Sequence, residues 1–180
     1  MGTFDIARAA AICTIAALGC SAGAALAAGG LPGGATALNE AHADWILNCQ
    51  VQNGATHCAV SQQQFDKGTK QLMLSLSFNP EANGGVKGVA VLPFGLNLGK
   101  GVTFQLDSSS PTAPSAFSTC LRGGCLVPLA WPADTVKDLR GATNLKVAAL
   151  GANGQPASFT VPMSGFGAAL DRAIELGGQP

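Results

Sequence analysis

The 180 residues and 17.9 kDa of this chain suffice for one domain with a real core and are short for two. Ten basic residues balance ten acidic ones, so no long-range field draws the molecule to nucleic acid or to an anionic membrane surface, and nucleic-acid binding is disfavoured. Charged residues are only 11% of the chain, while Gly and Ala are abundant; this composition suits tightly turned sheets better than long solvated helices.

The first 27 residues read as an export signal. Arg8 and the amino terminus supply positive charge, partly offset by Asp5, and the apolar run AAAICTIAALGCSAGAALA follows. Ala25-Leu26-Ala27 forms an A-x-A site, so cleavage is expected between Ala27 and Ala28. The same run is long enough for a membrane anchor, but no basic stop follows it. Cys20 after Leu18-Gly19 raises acylation as a lipoprotein, although Ala17 stands where an aliphatic residue belongs. Residues 28–42 are expected to be a flexible leader, residues 43–176 one domain and 177–180 a tail, with no transmembrane segment in the mature form.

Processing at that site removes Cys13 and Cys20 and leaves Cys49, Cys58, Cys120 and Cys125. In an exported chain these imply two disulfides, with three possible connectivities. CQVQNGATHC decides one of them, because Asn-Gly is the strongest two-residue hairpin signal. A turn centred on Asn53-Gly54 sets Cys49 directly opposite Cys58, in a non-hydrogen-bonded pair whose Cα atoms lie about 4.5 Å apart, within disulfide reach. In FSTCLRGGCLV a turn at Arg122-Gly123 likewise sets Cys120 against Cys125. C-x8-C and C-x4-C match neither a C-x-x-C redox centre nor a zinc finger, and His57, next to Cys58 in a strand, points to the other face.

Alternation in the same hairpin puts Trp45, Leu47, Cys49 and Val51 on one face with Thr56, Cys58 and Val60. TKQLMLSLSF continues it through Leu72, Leu74, Leu76 and Phe78. VKGVAVLPF, VTFQLD, AFSTC, CLVPLAW, LKVAAL and ASFTVP supply further strands between turn-rich segments. In LPFGLNLGKGVTFQLD the glycines resemble a phosphate cradle, but alternation through Val102, Phe104 and Leu106 follows where a helix is required, so Gly99 and Gly101 are expected to permit a hairpin. PADTVKDLR reads as a short helix closed by Gly141, and SGFGAALDRAIELGG as a terminal helix capped by Ser164, with Phe166, Leu170 and Ile174 on its apolar stripe. The class is therefore all-β, with about nine short antiparallel strands in a sandwich or barrel and a short C-terminal helix.

Catalytic residues do not announce themselves. Ser61, Ser75, Ser77 and Ser164 lie outside any G-x-S-x-G, and His42 and His57 are the only histidines. Asp44, Asp66, Glu81, Asp107, Asp134 and Asp138 are scattered near turns, so a paired-carboxylate site would need assembly by the fold.

Trp45 and Cys49 followed by Cys58, then LPFGLNLGKGVTFQLD, CLRGGCLVPL and VPMSGFGAALDRA, together resemble the invasion-associated locus B family of exported bacterial proteins over roughly residues 43 to 175. The resemblance implies an immunoglobulin-like β-sandwich in the periplasm, at the outer membrane or outside the cell, with a link to host-cell invasion in some members. It supplies no catalytic residues, cofactor or metal. The expected role is non-enzymatic binding of an unidentified protein or envelope partner. The alternatives are a small periplasmic hydrolase with a site assembled from distant residues, and a ligand carrier with a pocket between the sheets.

Overall fold

A computed structural model describes residues 30–177. The signal run, the Ala27/Ala28 site, Cys20 and the last three tail residues lie outside that range. Ten antiparallel strands form two sheets, accompanied by two helices. They are β1 (Ala37–His42), β2 (Trp45–Gln52), β3 (Ala55–Phe65), β4 (Leu72–Pro80), β5 (Val86–Leu92), β6 (Val102–Leu106), β7 (Thr119–Leu121), β8 (Gly124–Trp131), α1 (Ala133–Gly141), β9 (Asn144–Leu150), β10 (Pro156–Pro162) and α2 (Phe166–Gly177).

The large sheet has seven strands in the order β1-β2-β3-β4-β5-β8-β7, and the small one has three, β10-β9-β6. A constant-type immunoglobulin domain divides its strands four and three; here β1 to β5 run as a simple meander within the larger sheet. The inner face of that sheet is the alternating apolar set: Trp45, Leu47, Val60, Leu74, Leu76, Phe78, Ala90 and Val127 are buried. Towards β1 to β4 it is covered by α2, whose Phe166, Ala169, Leu170 and Ala173 are buried. The small sheet completes the cover with Val102, Phe104, Leu145, Val147 and Val161. Two side-chain bonds tie it to the large one: Gln64 donates to the Thr160 carbonyl at 2.7 Å and the Trp45 indole to that of Pro162 at 3.0 Å.

Four expectations change. The folded part begins before residue 43, because Ala37–His42, placed in the flexible leader, pairs with β2 from Ala37↔Gln50 to His42↔Trp45, and Leu31 is buried in the core. This strand brings the count to ten. Residues 93–101 make no hairpin, because β5 pairs with β8 and β6 with β9, so the segment is a corner between sheets. That corner is pinned to the β9–β10 turn by bonds from Asn97 N–H to Leu150 O and from Ala152 N–H to Gly95 O. Finally, α2 starts without an observed bond from the exposed Ser164 hydroxyl; its start is set by Gly165 and by Asp44 N–H donating to Ser164 O.

Candidate functional site

The hairpin registers are those dictated by their turns. Asn53 and Gly54 both take positive φ, 53° and 79°, and Cys49 pairs with Cys58 at a Cα separation of 4.1 Å with the sulfurs bonded. The second bridge joins Cys120 to Cys125 across the β7–β8 turn. The first is buried beside the core; at the second, Cys120 is exposed and Cys125 buried. Because each closes a short loop, replacing both cysteines of either pair with alanine is expected to lower unfolding free energy by about 2 to 3 kcal/mol and leave the fold intact, as read by denaturant titration.

The topology gathers one feature that no motif marked. The C-terminal ends of β3 and β5, the N-terminal end of β8 and the turns that follow or precede them all lie at one end of the large sheet. Phe65, Phe94 and Leu121 emerge there, 53%, 61% and 59% exposed. Leu98 on the pinned corner and Ile46 near the start of β2 complete the exposed large apolar side chains found among the described residues. Strands stand about 4.8 Å apart, so Phe65, Phe94 and Leu121, each two strands from the next, are spaced roughly 10 Å apart along this end. Lys67 and Lys70 on the β3–β4 turn and Arg122 on the β7–β8 turn are exposed at this end.

The surface is rigid for local reasons. Asp66 accepts from the Gly68 and Thr69 amides and the Thr69 hydroxyl, which closes the β3–β4 turn. The Thr69 amide, above all, holds the Asp66 carboxyl below its ordinary range. The β7–β8 hairpin is clamped by its disulfide and seated tightly on β5: a Cβ on Gly124 would lie 2.4 Å from Leu92 O.

The opposite end carries a groove of about 490 Å³, between the tip of the β2–β3 hairpin, the β4–β5 turn and the end of α2. Ile174 and Leu176 line it with Thr56, Asn79 and Glu81. It is not a pocket between the sheets. His57 lines it and is exposed, while Ser61 is engaged with Asn48 and with Ile46 O. No hydrogen bond joins His57 to Ser61 among the described residues. Among the described residues no three metal-ligating side chains cluster, and no helix is long and apolar enough to cross a membrane.

A charged joint ties α2 to β1. Arg172 donates to both Glu40 oxygens at 3.2–3.3 Å and to Glu175 at 2.9 Å. The His42 ring nitrogen lies 3.4 Å from Glu40, close enough for charge contact yet without hydrogen-bond alignment. Arg172 lies off the apolar stripe of α2, and pairing with β1 makes it a half-buried cross-link. The Arg172 guanidinium holds the Glu40 carboxyl below the usual 4.5. A depressed carboxylate contributes stability that is present above its unfolded pKa and lost as pH falls through the folded one. Thermal melts from pH 6 down to about 3 are therefore expected to fall less steeply for Glu40→Gln than for the parent.

The described architecture can now be set beside known proteins. Residues 45–173 match the family model for invasion associated locus B (IalB) protein. An invasion protein B homologue of Brucella abortus is 41% identical over 151 residues, covering 83% of this chain and 86% of that protein. Invasion protein B of Bartonella bacilliformis is 32% identical, covering 81% and 80%. The crystal structure of invasion associated protein B from Bartonella henselae superposes with a TM-score of 0.72 at 30% identity, over 77% of this chain and 96% of that one.

Proposed function

This chain belongs to the invasion associated locus B family, and we propose that it is a non-enzymatic envelope or secreted binding protein whose contact surface is the apolar end of the large sheet. Two disulfides assign it to an oxidising compartment beyond the cytoplasm. The observation that carries the reading is Phe65, Phe94 and Leu121 held in solvent on braced turns. Aromatic and aliphatic anchors inside a polar rim are the anatomy of a binding surface, and the three cations on its turns favour a partner whose own rim is acidic. Relatives named for invasion support host-cell entry as the process served.

The test uses a bacterial strain lacking the protein, complemented with the parent or with a Phe94→Ser/Leu121→Ser double variant. Both replacements are at exposed sites, so export and thermal stability should match the parent while adherence and entry fall toward the deletion level. Full activity of the double variant contradicts this surface. Turnover of a hydrolase substrate by the purified protein, abolished by His57→Ala, would replace binding with catalysis. A small molecule that raises Tm and is displaced by changes at Ile174 would favour the carrier reading through the groove.

A further inference from the structure

The two sheets have four edges, and three of them are covered or interrupted. Along β6 the edge is covered by residues 109–115: Val102 and Ser115 exchange backbone bonds, Thr112 bonds Phe104 on both sides, and the Ser109 hydroxyl accepts from Leu106 N–H. Along β10, Pro156 and Pro162 lack N–H groups, while the carbonyls of Thr160 and Pro162 are taken by Gln64 and Trp45. At β7 the strand is only three residues long, and Pro128 interrupts the edge of β8 beyond it.

The β1 edge has no covering segment among the described residues. Val51 N–H donates to Thr36 O, so Ala37↔Gln50 is a non-hydrogen-bonded pair; by alternation Leu38, Glu40 and His42 bond to β2. The N–H and C=O groups of Ala37, Asn39 and Ala41 therefore point away from the sheet, and among the described residues no hydrogen bond reaches them. No Pro or Lys interrupts this strand. Ahead of the strand, Leu31 is anchored in the core, so the described segment that leads into β1 does not lie along its edge.

We propose that β1 pairs antiparallel with β1 of a second copy about a two-fold axis at Asn39, joining two seven-stranded sheets into one. In this register Asn39 exchanges bonds with its symmetry mate and Ala37 with Ala41 of the other copy, so every outward donor meets an acceptor. Ala37, Asn39 and Ala41, on the solvent face, are small and uncharged. On the inner face Glu40, neutralised by Arg172, falls opposite Leu38 of the other copy. An axis at Glu40 would set like charges in register and is disfavoured. The pairing is independent of the apolar end, which lies across the strand termini.

An Asn39→Cys variant of the exported form tests this under mild oxidation. Facing Cα atoms in a hydrogen-bonded pair are about 5.5 Å apart, within disulfide reach, so a linked dimer is expected. Ala37→Cys is the control: its own mate lies roughly 13 Å away, and it should give about tenfold less dimer. Sedimentation at high concentration should show association in the parent and its loss in Asn39→Pro, which removes the central outward N–H and spares the β2 ladder. Equal linking by the two cysteine variants, a monomeric parent, or association unchanged by Asn39→Pro overturns the proposal.

Discussion

Gly165→Ala is expected to cost more than about 3 kcal/mol of stability. Gly165 has φ +88°, and a Cβ there would sit 1.9 Å from His42 O and 3.1 Å from the Ala43 side chain. Neither neighbour is a flexible tip. His42 ends β1 and Ala43 opens the tight β1–β2 turn, and Asp44 N–H donates to Ser164 O across the same junction. Relief therefore requires α2 to lift from the sheet that it covers. Gly167→Ala is the matched control two residues on, because its added Cβ meets nothing closer than 3.7 Å and it lies within the helix. There, the reduced freedom of the unfolded chain should raise stability by about 0.5 to 1 kcal/mol. Urea titration of the two variants should give shifts of opposite sign.

Trp45→Ala is expected to cost about 3 to 5 kcal/mol. The ring is fully buried, stacked edge-on against Phe166 at 4.9 Å, and close to Phe78 at 6.1 Å. Its indole nitrogen also donates to Pro162 O, the last residue of β10. One side chain thus meets the large sheet, the small sheet and α2. Trp45→Phe should separate the two contributions. It keeps most of the apolar burial and loses the bond to β10, so about 1 to 2 kcal/mol of the deficit is expected to remain. Gly165 and Trp45 act at one joint, and their double variant should lose less than the sum.

How much of this was legible follows from how local each determinant is. Asn53-Gly54 sets its hairpin register through the φ demands of two residues, and the alternation of Leu72, Leu74, Leu76 and Phe78 marks a buried face without reference to the rest of the chain. β1 was missed because ALNEAH offers small and charged residues with weak alternation; its strand geometry comes from pairing with β2 through a turn in which Ala43 takes φ 50°. The corner after β5 was misread as a hairpin because Gly99 and Gly101 signal a turn equally well whether the next strand returns or leaves. Which happens depends on β8 and β9, far along the chain. The apolar end was invisible for the same reason. Phe65, Phe94 and Leu121 are isolated residues in three segments, and only the strand order brings them to one end. A large apolar residue breaking alternation at a strand end, as in QQFDKG or LPFG, is the local signal for such a surface.

The account stands on a single physical premise, that the chain matures in an oxidising space where two adjacent ribbons are covalently closed. Intact-mass measurement and non-reducing peptide mapping of the protein recovered from fractionated cells test it directly. The expected result is a polypeptide outside the cytoplasm beginning at Ala28, with no titratable thiol and with peptides linking Cys49 to Cys58 and Cys120 to Cys125. Full-length protein in the cytosol with every thiol free, or crossed linkages between the two hairpins, would contradict it.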